Sequence, residues 1–260
     1  MPQVLFFNID MHNNFTKTYP DVQHYTSIDS TNAEAQRYLE KNNPKDLLWF
    51  LADEQEAGKG RMGSEWVSNK GNLFCSLICP INWDLKLLPM LSGLVAVTIH
   101  ETLSQFIGSS NLLKIKWPND ILINDSKISG ALIENIINGA NKYTIIGIGI
   151  NVISSPNLDI YKTSHINKHL ENHTDVNEVF LKLKNNLENR LLIFSYKSAA
   201  IIREEMLKNA WKINEKINYI SNSIEDSGIF VNISDDYEII IRTDTSLTKL
   251  NSGELKIIRN

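Results

Sequence analysis

Two short stretches carry residue types able to handle an anion and a nucleotide. The first is Gly58-Lys59-Gly60-Arg61-Met62-Gly63, with three glycines and two cations in six residues. Glycines let backbone N–H groups approach an anion closely, and Lys59 and Arg61 add positive charge. The second is Lys116-Trp117-Pro118-Asn119-Asp120, followed by Asn124-Asp125-Ser126-Lys127-Ile128-Ser129-Gly130. An Asn-Asp turn at 124–125 folds the flanking strands into a hairpin, which can bring Asp120 toward Lys127. A carboxylate beside an ammonium suits Mg-ATP, with the acid toward the metal and the cation toward phosphate. Taken alone, the same residues also make a tight hairpin with solvated basic tips, a plain turn and a surface lysine. The two segments by themselves leave both readings open.

The glycine loop matches G-x-G-x-x-G letter for letter, yet its surroundings exclude a dinucleotide fold. Such a fold opens a helix on the glycines, so that pyrophosphate meets the helix N-terminus. Here the loop runs into SEWVSNKGNLFCSLIC, rich in β-branched and aromatic residues, and no acidic residue ends a second strand about 20 residues on. No G-x-x-x-x-G-K-[ST] is present either.

The elements that must hold these residues follow from periodicity. Residues 1–24 read as an irregular polar segment, with Pro2 and Pro20 as breakers. A helix follows from Thr31, where Thr31 and Glu34 form an S/T-x-x-E capping box and Ala35, Tyr38 and Leu39 share a face. Residues 47–55 and 66–79 read as strands, 87–107 as a buried helix, and 114–136 as strand, turn, strand, turn, strand. Residues 143–153 form another strand, and helices near 177–195 and 199–211 follow. From about 213 the texture becomes short β-like runs, INYIS, GIFVNI, EIIIRT and GELKII. Strands and helices without strict βαβ alternation predict an α+β fold, with a mixed or antiparallel sheet and flanking helices. The division expected is 1–212 for the main domain and 213–260 for a small C-terminal β-domain.

The formal net charge of −4 does not favour nucleic acid as a partner. No charged n-region and apolar run mark a signal peptide, and no run of about 18 uninterrupted apolar residues predicts a membrane span. Two cysteines only, Cys75 and Cys79, suit a reducing compartment and a cytoplasmic location. They fall four apart on a strand and read as buried small hydrophobes. His165, His169 and His173 would align on a helix, but their segment lacks apolar periodicity and reads as a polar loop, not a metal site. A homodimer is suggested by the strand at 143–153, which could lie at a sheet edge.

Taken together, EQEAGKGRMGSEW, KWPNDILINDSKISGALIE and IIGIGINV resemble, in order and spacing, the three signatures of the biotin–protein ligase family. IDSTNAEA upstream and GEL at 253–255 add to the match, which spans roughly residues 25–260. The resemblance implies a catalytic domain related to class II aminoacyl-tRNA synthetases, followed by an SH3-like barrel. It implies an enzyme that adenylates biotin with ATP and Mg²⁺, then transfers it to a lysine of a biotin carboxyl carrier domain. Ser30, Thr31, Asn32 and Gln55 match positions that hold biotin's ureido ring. Lys59, Gly60 and Arg61 match the loop over the biotin carboxylate and adenylate phosphate, and Lys127 the lysine at the same junction. Trp66 matches the residue that packs on adenine, while Asn119, Asp120 and Asn151 fall on the nucleotide side, with Asp120 as the metal contact. Arg61 and Lys127 are the expected catalytic pair. Many family members have Arg at position 59 and a basic residue at 64, where this chain has Lys59 and Ser64. If position 59 acts through its backbone, lysine is harmless there; a bidentate side-chain role would be weakened. Only about 25 residues precede the ligase pattern, so repressor activity is not expected. The alternatives are a lipoate–protein ligase or octanoyltransferase, and a non-catalytic biotin-sensing module.

Overall fold

The computed structural model describes residues 21–108, 112–221, 223–252 and, as backbone alone, 255–258. In chain order the elements are β1 (Val22–Tyr25), α1 (Thr31–Lys41), β2 (Leu48–Ala52), β3 (Leu73–Pro80), α2 (Leu88–Ile107), β4 (Leu113–Lys116), β5 (Asp120–Ile123), β6 (Ser126–Asn138) and β7 (Asn141–Ile150). Then come α3 (Val176–Leu192), α4 (Tyr196–Lys208), β8 (Lys216–Ser221), β9 (Ile224–Ile233), β10 (Ile239–Arg242), β11 (Leu247–Leu250) and β12 (Leu255–Ile258).

Seven strands form one sheet in the order β1-β2-β3-β7-β6-β5-β4, antiparallel throughout except for the parallel pair β1–β2. The period of two sorts its side chains. Trp49, Leu51, Cys75, Leu77 and Cys79 share one core with Leu91, Leu94 and Val95 of α2 and with residues of α3 and α4. Phe50, Ile78, Tyr143 and Ile145 join Ala35 and Leu39 of α1 on the other side. The fold is therefore α+β, with one mixed sheet between helices. The 20-residue α2 is apolar and long enough to cross a membrane by composition, and 67% of its apolar window is buried inside the protein. The C-terminal strands make a second, antiparallel sheet, β11-β10-β9-β8-β12, whose Phe230, Ile239 and Ile241 join the main core.

The exposed edge at β4 is covered by the chain itself. The Ile115 N–H donates to the Asn209 carbonyl at 2.8 Å and its carbonyl accepts from Trp211 N–H at 2.9 Å. The Trp211 indole then donates to Asp125 at 2.6 Å. Capping an edge this way removes a template for unwanted strand pairing.

Several sequence expectations need correction. Residues 22–24 are not irregular: they pair in parallel with β2 through Val22, Gln23 and His24. The cap of α1 is Ser30 rather than Thr31. Glu34 N–H donates to the Ser30 carbonyl at 3.0 Å with no side-chain cap, and the Thr31 hydroxyl is used elsewhere. Residues 66–72 are loop, not strand, because their polar groups bond across to Gln55 and to residues 152–154. The strand after 140 lies in the middle of the sheet, between β3 and β6, so it offers no edge to a second copy. The histidine segment is loop, as expected, and Ile166–His169 form only a short 3-10 turn in it. The late glycine-glutamate pair at 253–254 lies outside the described residues.

Candidate active site

At one end of the large sheet a cavity of about 970 Å³ is lined by α1's N-terminus, the glycine loop, β5–β7, residues 158–161 and the rim of the small sheet. That is the upper part of the range that small-ligand sites occupy.

One end is uncharged. Ser30, Thr31 and Asn32 are buried at the start of α1 and line the cavity. Thr31 donates its backbone N–H to Gln55 Oε1 at 2.8 Å, and its hydroxyl lies 3.0 Å from the same oxygen. Gln55 in turn donates to Ser68 at 2.9 Å. The IGIGI pattern of β7 makes the room: a Cβ on Gly147 would sit 2.1 Å from Asn32 Oδ1. Strand periodicity puts Gly149 on the same face, where a Cβ would meet the Trp66 ring at 2.4 Å.

The other end is charged. The 124–125 turn has both residues at positive φ, 45° and 61°, as a tight two-residue hairpin requires. The hairpin sets Lys127 Nζ 2.6 Å from Asp120 Oδ1. Gly130, opposite Asp120 on β6, leaves space for that pair: its Cβ would lie 3.1 Å from the ammonium. The Trp66 and Tyr161 rings flank Lys127, with centroids 5.1 and 5.8 Å from Nζ. The Trp66 indole N–H is buried with no acceptor among the described residues.

The glycine loop bends back through Met62 and Gly63, both at positive φ (54° and 74°). Ser64 closes it, accepting from Gly60 N–H at 2.7 Å and donating its hydroxyl to the Arg61 carbonyl at 2.8 Å. Lys59 is exposed at the cavity rim, and its backbone pairs with Glu65. Arg61 turns inward, donating to Asn119 Oδ1 at 3.3 Å and to the Ser252 carbonyl in the small sheet. Burial pushes its pKa down and the charge of Asp120 pulls it back up. Both cations thus act on the neighbourhood of one carboxylate.

The small sheet also reaches the Lys116–Asp120 segment. Tyr237 donates its hydroxyl to the Pro118 carbonyl at 2.7 Å, and its backbone carbonyl accepts from the Trp117 indole at 3.2 Å. Burial raises the Tyr237 phenol well above its ordinary range.

Of the residues singled out from sequence, Ser30, Thr31, Asn32, Gln55, Lys59, Gly60, Arg61, Trp66, Asn119, Asp120 and Lys127 all line the one cavity. Asn151 does not. It is buried beside it, donating to the Ser164 carbonyl at 3.0 Å and lining a small adjoining crevice. Its place is to tie β7 to the 163–166 segment. Sequence reasoning missed Gly147, Gly149, Ser68, Tyr161 and Tyr237. The two glycines had a signal, alternation within a strand, which marks a face stripped of side chains. Tyr161 and Tyr237 had none, since they arrive from distant segments.

An α+β domain with a neutral hydrogen-bonding end and a cationic end in one cavity is the frame of an enzyme that joins an acid to a nucleotide. The model of the biotin/lipoate A/B protein ligase family matches residues 25–151. A biotin–[acetyl-CoA-carboxylase] ligase of Paracoccus denitrificans is 31% identical over 223 residues, 82% of this chain and 91% of that protein. The bifunctional ligase/repressor BirA of Bacillus subtilis is 38% identical over 135 residues, 51% of this chain and 41% of that protein. Among solved structures, the biotin protein ligase from Aquifex aeolicus in complex with biotin and ATP superposes with a TM-score of 0.77. It is 24% identical, over 93% of this chain and 100% of that one, and speaks to the fold alone. The chain belongs to the biotin/lipoate A/B protein ligase family, among its biotin–protein ligases.

Proposed function

We infer that the chain is an ATP-dependent biotin–protein ligase that forms biotinyl-5′-AMP and transfers biotin to a lysine of a biotin carboxyl carrier domain. The observation that carries this is the division of one cavity into a neutral, hydrogen-bonding end and a cationic end. It stands beside the near full-length likeness to a biotin–[acetyl-CoA-carboxylase] ligase. We assign the ureido ring to Ser30, Thr31, Asn32 and Gln55, because a buried urea left unpaired costs about 1–3 kcal/mol per group. The biotin carboxylate and the α-phosphate fall to Arg61, Lys127 and the backbone at Lys59–Gly60. Adenine falls to Trp66, and the ribose-phosphate side to Asn119 and Asp120, with Asn151 supporting from beneath. The exposure of Lys59 and the backbone bridge it makes to Glu65 favour a backbone role, which makes lysine there as good as arginine.

The reaction brings two anions together. At about 4 Å and an effective dielectric near 20 their repulsion is on the order of 4 kcal/mol per charge pair. Arg61 and Lys127 offset it and stabilise the charge that grows as the carboxylate oxygen attacks the α-phosphorus and pyrophosphate departs. The glycine loop, resting on Ser64, shields the mixed anhydride from water. The acceptor amine then attacks the acyl carbon, AMP leaves and the amine gives up a proton. No covalent enzyme nucleophile is needed.

Among the described residues no group of three or more His, Cys, Asp or Glu is gathered to hold a metal, and Asp120 shares its charge with Lys127. That fits an ion carried mainly by the nucleotide's own phosphates, with Asp120 as a single protein contact. Magnesium bound there supplies neutralisation of phosphate charge. We further assign residues 1–212 to a catalytic domain related to class II aminoacyl-tRNA synthetases, residues 213–260 to an SH3-like barrel, and the cytoplasm as the place of action.

The test is incubation of the purified chain with ATP, Mg²⁺, biotin and a carrier domain. A mass gain of one biotinyl group on the carrier, dependent on ATP, is expected. A gain with lipoate and none with biotin would turn the assignment to the lipoate branch, and no gain with either acid would contradict a ligase.

A further inference from the structure

Beneath the neutral end of the cavity runs a chain of hydrogen bonds whose far members touch no cavity surface. Asn32 donates its Nδ2 to Glu134 Oε2 of β6 at 2.7 Å. Ser76 of β3, fully buried, places its hydroxyl 2.5 Å from Asn32 Oδ1 and 2.7 Å from Thr31 Oγ1. Thr31 and Gln55 complete it. We propose that Glu134 and Ser76 are positioning residues that set the direction of this chain, and so select a ligand bearing a urea N–H. The inference rests on the biotin assignment above and says how that specificity is built.

The direction follows from donor and acceptor counts. An ionised carboxylate only accepts, so the nitrogen of the Asn32 amide must face Glu134 and its oxygen must face Ser76. A flipped amide would set oxygen against carboxylate. Two hydroxyl protons, on Ser76 and Thr31, then serve three oxygen–oxygen contacts at 2.5, 2.7 and 3.0 Å. The Ser76 proton is shared between Asn32 Oδ1 and Thr31 Oγ1, and the Thr31 hydroxyl donates to Gln55 Oε1, which also accepts the Thr31 backbone N–H. The chain therefore runs outward from Ser76. Thr31 Oγ1 is left with one lone pair for the cavity, an acceptor for a urea N–H. A dithiolane ring has no N–H to give it. Gly147 holds the arrangement open, since any side chain there would displace the Asn32 amide.

The experiment is biotin-dependent ATP–pyrophosphate exchange on the full chain and on Ser76→Ala, Glu134→Leu and Glu134→Gln. Ser76→Ala and Glu134→Leu are expected to raise the KM for biotin about tenfold or more, while the KM for ATP stays within about twofold. Glu134→Gln can turn a carbonyl toward Asn32 and should recover most of the loss. Unchanged biotin KM in Glu134→Leu, or an equal rise in both KM values, would overturn the proposal. Glu134 is half-buried, so that variant decides the matter even if Ser76→Ala does not fold. No exchange in the unmodified chain would instead remove the ligase function, and this inference with it.

Discussion

The two ends of the cavity are built by different means. The neutral end rests on regular structure: the first turn of α1, the middle of β3 and the face of β7 that carries two glycines. Its groups are already bonded to one another before any ligand arrives. The charged end adds turns to a hairpin: Asp120 and Lys127 stand on β5 and β6, and the glycine loop, the 117–119 turn and the Ser252 turn of the small sheet close around them. Its cations are parked on protein partners, Lys127 on Asp120 and Arg61 on Asn119 and Ser252. Recognition of a neutral ring needs fixed acceptors, and rigid elements supply them. Stabilising a charge that appears only during reaction needs cations that can be handed over, and loops allow that.

The largest expected effect falls on the charged end. Lys127→Ala and Arg61→Ala should each lower the adenylation rate about 10²-fold or more in pyrophosphate exchange, with thermal stability little changed. A drop confined to KM for biotin would erase the distinction between the ends.

The two β7 glycines sharpen it next. Gly147→Ala should raise the KM for biotin by about tenfold or more, and Gly149→Ala should act mainly on ATP. Their new methyl groups meet Asn32 and Trp66 respectively. Swapped or equal effects would mean that the ends are not separate.

Smaller still is the borrowed support from the small sheet. Tyr237→Phe removes one buried hydrogen bond to Pro118 and should raise the KM for ATP about fivefold, leaving biotin alone. Steady-state kinetics on both substrates separates the two.

The smallest concerns the entrance to α1. Arg37 grips Asp29 through two hydrogen bonds, at 2.7 and 2.8 Å, and holds its carboxyl down to about 2. A lowered folded-state pKa means stability that is fully present above the ordinary carboxylate value and lost as pH falls toward about 2. Both side chains are nearly half exposed, so the contribution is under about 1 kcal/mol. Thermal melts of Asp29→Asn should lie slightly below the unmodified chain at pH 7 and converge with it near pH 2.

Much of the site could be read from the residues because its chemistry sits in contiguous signatures. Lys59 to Arg61 lie in one loop and Asn119 to Lys127 in one hairpin, whose tight turn is set by local residue types, Asn124-Asp125. The α+β class was legible for the same reason, since apolar periodicity is local. What escaped depends on contacts across the sheet. Thr31 looks like a cap in the sequence, but Ser30 takes that place and the Thr31 hydroxyl turns to Ser76 and Gln55. The strand 141–150 looks free to pair, but β3 and β6 flank it. The loop 66–72 carries strand-like residues whose backbone course is set by Asn72, which accepts three N–H groups from residues 152–154.

The most direct measurement is a crystal structure with a non-hydrolysable biotinyl-adenylate bound. The guanidinium of Arg61 should have left Ser252 and the ammonium of Lys127 should have turned from Asp120, both to within about 3 Å of the acyl-phosphate linkage. If either cation still sits on its protein partner while the ligand fills the cavity, the convergence of the two segments on one charge is contradicted.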